Sequence, residues 1–291
     1  MLRATGYHRA MLNQIHQLRR LRPVALAGLA LLGLACGGLH LDSEPGVFDV
    51  RQQRLEMPHG SLMFTYVTPA APKPPIYLVV FASGDAGWMG SSGLVYEHLA
   101  HSGYYVAGYN SREGVKQVKD AGKDLPITEA AIDIASIVSQ AKKDLNLPEE
   151  TPTILTGFSR GASMVIMGAA VRRIQPRLAG AVAMSLTREA DYVRMPKGAA
   201  LPPGVKVDEE GRLLTYPLLD LLGSLPIAVI QADGDKYVPA SEARTLFGPD
   251  GPARRLYTVE DSAHSFGGRQ DVLLRDLDDA LAWVKSVRTG S

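Results

Sequence analysis

The strongest constraint on the fold is one five-residue turn and its flanks. Gly157-Phe158-Ser159-Arg160-Gly161 follows the β-branched run Thr153-Ile154-Leu155-Thr156 and precedes the helix-forming run Ala162-Ser163-Met164-Val165-Ile166-Met167. A strand that enters a helix through G-x-S-x-G makes a sharp elbow and lifts the serine hydroxyl off the sheet end. The elbow needs a strained serine backbone, and side chains at the flanking positions would collide with strand and helix. A plain strand–helix loop eased by two glycines would use the same residues, so the remainder of the chain has to discriminate.

That remainder alternates strand and helix signals. Leu62–Val67, Ile76–Phe81, Tyr104–Tyr109, Leu178–Met184, Ile227–Ile230 and Arg255–Val259 read as strands. Helices are predicted near Ser92–His101, from Pro126-Ile127 to about Leu145, near Ser241–Phe247, and from about Asp271 to Val287. Such alternation implies a parallel sheet with right-handed crossovers. Ligands of such sheets gather beyond the carboxyl ends of the strands. Residues 186–224 break the pattern with Gly, Pro and charge, and are expected to form a cap-like insertion.

The composition excludes several classes. Hydrophobic residues make up 46% of the chain, enough for a substantial core. With 31 basic and 30 acidic residues and no basic stripe interleaved with aromatics, no nucleic-acid partner is expected. There is no H-E-x-x-H, no cysteine pair and no G-x-G-x-x-G after a strand, so neither a metal nor a cofactor is predicted.

The N-terminus departs from the even charge balance. His8, Arg9, His16, Arg19, Arg20 and Arg22 precede an apolar run from Val24 to Cys36, and no acid occurs before Asp42. Residues 1–38 therefore read as an export signal or lipoprotein leader; an uncleaved anchor is the alternative. Cys36, the sole cysteine, ends Leu34-Ala35-Cys36 and is the candidate lipidation residue. Residues 39–60 read as a linker and 61–291 as the catalytic domain. The expected location is periplasmic or envelope-anchored.

A serine hydroxyl becomes a competent nucleophile only with a base, and that base needs a carboxylate to fix its tautomer. Asp235 follows a strand in Asp233-Gly234-Asp235-Lys236-Tyr237-Val238-Pro239, with Asp233 as the competing acid. His264 follows the last strand. The other histidines lie in the leader, before the sheet or on a helix. The order Ser, Asp, His is that of the α/β-hydrolases, so the predicted fold class is α/β, an α/β-hydrolase fold with helices on both faces of a mostly parallel sheet. Ser159, Asp235 and His264 are the catalytic candidates. The oxyanion amides are expected from Arg160, after the nucleophile, and from Asp85 in Ser83-Gly84-Asp85-Ala86-Gly87-Trp88. Trp88 and Asp191 are candidate substrate-binding residues.

Taken with Gly157–Gly161, the Ser83–Trp88 turn resembles the bacterial virulence-protein family of AcvB and VirJ, over roughly residues 76–284. Tyr216-Pro217 and the turn around His264 belong to the same resemblance. It implies a periplasmic α/β-hydrolase of aminoacylated phospholipid, chiefly lysyl-phosphatidylglycerol. The chain departs from that pattern at Ser163, where the family places an acid, and at Ala263-His264-Ser265-Phe266, where it often reads His-His-Phe. A lysyl cation would require nearby acids, for which Asp85, Glu189, Asp191 and Asp261 are available. The expected partner is a small-molecule or lipid ester, with a membrane surface as a second contact. A small-ester hydrolase of the dienelactone type and a non-catalytic envelope binding protein are the competing readings.

Overall fold

Four mainly apolar runs become strands buried along their whole length: β3 (Leu78–Ala82), β5 (Thr153–Phe158), β6 (Leu178–Met184) and β9 (Ile227–Ala232). Strands covered on both faces read this way because neither face needs polar residues. The computed structural model describes residues 39, 41–57, 60–120, 127–195 and 198–289. The export-signal and Cys36 expectations lie outside these residues.

With β1 (Phe48–Met57), β2 (Gly60–Pro69), β4 (Tyr105–Tyr109) and β10 (Arg254–Val259), the central strands form an eight-stranded sheet of order β1-β2-β4-β3-β5-β6-β9-β10. The pairs β1–β2 and β2–β4 are antiparallel, and every other neighbouring pair is parallel. Alternate strand residues feed two cores. Leu78, Val80 and Leu155 face one side, with helices α3 (Ile127–Asp144) and α4 (Arg160–Ala169). Val79, Phe81 and Ile154 face the other, with α1 (Ser91–His101) and α6 (Gln270–Thr289). Helices α2 (Ser111–Asp120) and α5 (Ala240–Phe247) complete the set.

One expectation is corrected. Residues 39–60 do not act as a linker throughout, because Phe48–Met57 pairs over ten residues with β2 as an edge strand. The pairing is made by backbone groups, so the polar side chains of β1 gave no alternating signal. Residues 186–224 carry secondary structure of their own. They hold an antiparallel pair, β7 (Glu189–Arg194) and β8 (Arg212–Leu214), followed by a 3-10 helix over Tyr216–Leu222. The two ends of this insertion meet. Thr215 donates its N–H to the Arg188 carbonyl at 2.9 Å, and the Tyr216 hydroxyl donates to the Leu186 carbonyl at 3.4 Å.

Candidate active site

The elbow forms at the carboxyl end of β5. Ser159 has φ 53° and ψ −115°, outside the regions open to most L-residues, a strain of about 1–3 kcal/mol held by its surroundings. A Cβ on Gly157 would lie 2.3 Å from the Gly161 carbonyl oxygen, and one on Gly161 would lie 2.0 Å from that of Ala82. No other residue fits either position. The Ser159 N–H donates to the Met184 carbonyl at 2.8 Å, which anchors the turn to β6.

Three of the predicted side chains meet here. His264 Nδ1 lies 2.7 Å from Asp235 Oδ2, and His264 Nε2 lies 2.8 Å from Ser159 Oγ. An ionised carboxylate only accepts, so Nδ1–H donates to Asp235 and Nε2 is left to accept the serine proton. Asp235 is 1% exposed and Ser159 6% exposed, so water competes little for either bond.

Each member is held by groups that sequence reasoning missed. Asp235 Oδ1 accepts the Tyr237 N–H at 2.8 Å, and its Oδ2 accepts from Gln231 Nε2 at 3.0 Å. Gln231 is fully buried; its amide also donates to the Val238 carbonyl and accepts the Leu186 N–H. The only signal in the sequence is a polar residue near the end of an apolar strand, four positions before the acid. Ser185 (φ 50°) donates its hydroxyl to the His264 carbonyl at 2.7 Å. Ser91 donates to the next carbonyl, that of Ser265. The Tyr237 ring meets the imidazole edge-on at 4.7 Å between centroids.

Asp233, the competing acid, has a different task. Its carboxylate accepts the N–H groups of Asp261 and Ser262, at 3.0 and 3.1 Å, and so shapes the turn that carries His264. Those two backbone bonds hold its carboxyl below the usual range.

The Asp85 turn lies against the nucleophile. A Cβ on Gly84 would come within 3.5 Å of Ser159 Cβ. The Gly84 N–H donates to Ser92 Oγ at 3.0 Å, and the Gly84 carbonyl accepts from the Ser111 hydroxyl at 3.0 Å. Neither the Asp85 N–H nor the Arg160 N–H donates to any described residue. Arg160 opens α4, where first-turn amides have no intrahelical partner.

Trp88 does not line the cleft around Ser159. Its ring packs on Tyr96 at 5.0 Å and Phe81 at 6.1 Å, so the expectation of a substrate contact is corrected to one of packing. Asp191 does border the cleft, but its carboxylate is engaged. Arg160 Nε and Nη2 reach its two oxygens at 3.1 and 3.0 Å, and Lys119 approaches at 3.7 Å. Burial works to raise this carboxyl; the Arg160 fork and the Lys119 charge outweigh it and hold the group below its ordinary value. Glu189 faces Arg212 at 3.4 Å, and Asp261 faces Arg269 at 2.6 Å. Asp85 alone of the four acids has no ion-pair partner among the described residues. The cleft measures about 300 Å³ and also takes Arg188 and Tyr237 into its walls. Among the described residues no cluster of ligating side chains suited to a metal ion is found.

A mostly parallel sheet with this elbow, this strand order and this Ser–His–Asp geometry defines the α/β-hydrolase fold. Known structures share it. A Klebsiella pneumoniae protein described as a dienelactone hydrolase superposes with TM-score 0.59 at 14% identity, over 82% of this chain and 98% of that one. XC6422 from Xanthomonas campestris, described as an α/β serine hydrolase without a lid, gives 0.52 at 16% identity, over 83% and 97%. Est1E from Butyrivibrio proteoclasticus gives 0.55 at 16% identity, over 81% and 99%. No family model matches the chain, and no curated protein matches it in sequence.

Proposed function

We propose that the chain is a serine ester hydrolase. The observation that carries this reading is the unbroken relay from Asp235 through His264 to Ser159, beside two backbone amides with no partner among the described residues. Ser159 Oγ attacks the ester carbonyl as His264 Nε2 takes its proton. The amides of Arg160 and Asp85 face the oxyanion that forms. Collapse expels the alcohol, which receives the proton from His264, and leaves an acyl-serine. Water, deprotonated by the same imidazole, then releases the acid. Asp235 keeps Nδ1 protonated and supports the transient imidazolium.

The substrate proposed first is an aminoacyl-phospholipid such as lysyl-phosphatidylglycerol, in line with the AcvB/VirJ resemblance. The unpaired Asp85 carboxylate at the cleft supports a cationic acyl group. An envelope location goes with this substrate and rests on the basic and apolar leader. A small soluble ester is the second reading, supported by a cleft of small-molecule size and by the dienelactone-hydrolase description of one structural neighbour.

A fluorophosphonate probe tests the reaction class. It is expected to label the protein at Ser159 and not to label Ser159→Ala; absence of labelling on folded protein would reject the hydrolase reading. Lipid extracts of cells with and without the gene separate the two substrates: an accumulated aminoacyl-lipid in its absence is expected under the first. Mass spectrometry of the mature N-terminus reports on export and on Cys36.

A further inference from the structure

A second pocket lies behind the Gly84 turn, on the α4 side of the sheet. Met57, Leu62, Val118, Ile137, Met164 and Met167 give it a mainly apolar wall, Tyr109 and Tyr192 bring hydroxyls to it, and Lys119 and Asp133 add one charge of each sign at its lining. Apolar walls with a few convergent polar groups are what small-ligand sites present. Methionine, unbranched and polarisable, adapts such a wall to a flexible chain.

One polar group here is unexplained by the fold. Tyr192 is 6% exposed, and its hydroxyl has no hydrogen-bond partner among the described residues. Leaving a buried hydroxyl unpaired is unfavourable, so a retained one points to a ligand group that completes it. Burial pushes this phenol well above its ordinary value, so it is neutral and able to donate or accept. The neighbouring Tyr109 hydroxyl donates only to the Met164 thioether, at 3.7 Å.

Two connections tie this pocket to the nucleophile. Ser111 lines it and also donates its hydroxyl to the Gly84 carbonyl, next to the Asp85 amide. On α4, Arg160, Met164 and Met167 fall at i, i+4 and i+7, one face of the helix. Arg160 borders the Ser159 cleft, and Met164 and Met167 border the second pocket. Ser159 to Met164 is about 7.5 Å along the helix axis, so a chain from the serine needs at least about six carbons to reach it. The pocket volume is about 70 Å³. That is about half of a cavity that takes benzene, so it seats about three carbons.

We infer that this pocket receives the far end of an aliphatic chain of about six carbons, tipped with one hydrogen-bonding group and joined to the ester at Ser159. The tip pairs with the Tyr192 hydroxyl. As a statement about substrate, the assignment rests on the ester-hydrolase reading; as a statement about a ligand site, it does not.

Two measurements test it. The first compares kcat/KM for p-nitrophenyl acetate, hexanoate and 6-hydroxyhexanoate. The hexanoate-to-acetate ratio is expected to fall about tenfold or more in Val118→Phe, which fills the space otherwise taken by two or three methylenes. The 6-hydroxyhexanoate-to-hexanoate ratio is expected to fall about fivefold in Tyr192→Phe, which keeps the ring and removes one hydrogen bond. Equal losses on all three esters, or no change in either ratio, would overturn the assignment. The second measurement needs no turnover. In methyl-labelled Ser159→Ala, hexan-1-ol is expected to shift the methyl resonances of Met57, Met164 and Met167 and to leave that of the exposed Met89 in place. No shift, or a uniform one, would overturn the site even if esters are cleaved. Shifts at the three methionines in a protein that cleaves no ester would keep the site and reject the hydrolase reading. If Val118→Phe does not fold, Tyr192→Phe and the hexan-1-ol titration decide alone.

Discussion

The relay and the opposite wall of the same cleft are built in contrasting ways. Ser159, Asp235 and His264 are each fixed by several bonds from different elements, and the acid is almost fully out of water. The wall drawn from the insertion carries Asp191 and Arg188, each about half exposed, which pair with the more buried Arg160 and with Glu242 on neighbouring helices. Bonds inside a dry, packed site are strong and resist rearrangement. Exposed ion pairs are worth about 0–1 kcal/mol and re-form readily. One side of the cleft is thus suited to a fixed reaction, the other to discrimination among substrates.

The widest separation between the two sides is expected from Ser159→Ala, with kcat lowered by about 10⁴–10⁶ in ester turnover. A loss below tenfold would remove the relay from the mechanism. Gln231→Leu comes next. It takes a charge-assisted bond from Asp235 and strands the Leu186 N–H, so kcat is expected to fall by about 10–100-fold. The downfield NMR signal of the Nδ1 proton should move with it, and an unmoved signal would reduce Gln231 to a packing role. On the opposite wall the effects are smaller. Asp191→Asn leaves the Arg160 guanidinium uncompensated, so the kcat/KM of an anionic ester relative to a neutral one is expected to rise about two- to fivefold, and the gain should fade in high salt.

The same aspartate sets a pH test. Its carboxyl is held below the ordinary value when folded. The stability it supplies is therefore present above the ordinary carboxylate pKa of about 4 and is lost as pH falls through the lower folded value. Denaturant melts of wild type and Asp191→Asn should differ at neutral pH and converge in strong acid. A constant gap would mean that the ion pair is not its origin.

Much of this architecture could be read directly from the chain, and the failures have physical reasons. Leu178–Met184 was delimited to the residue because a strand buried on both faces is apolar throughout. The positions of Ser159, Asp235 and His264 at the strand ends followed from the motif and its order. Phe48–Met57 was not legible, since an edge strand needs only backbone partners and, Phe48 and Leu55 apart, its side chains are exposed or half-buried. Trp88 looked like a substrate contact because it neighbours the Asp85 turn, but Phe81 and Tyr96 claim its ring. Asp191 looked like a free acid because its partner stands thirty-one residues earlier, on another element. Gln231 was overlooked because a buried amide gains its meaning only from the three groups it bridges.

The meeting of Leu186 and Arg188 with Thr215 and Tyr216 has a consequence for how such a fold can change. The chain leaves and re-enters the scaffold through a single doorway, latched on its inner side to the amide that steadies the acid. Beyond that doorway Ala190, Val193 and Leu213 stay packed in the core, so only the exposed stretch between β7 and β8 is free to be lengthened, trimmed or swapped while the chemistry behind it keeps its geometry. New substrates are then reached by replacing the porch rather than rebuilding the house.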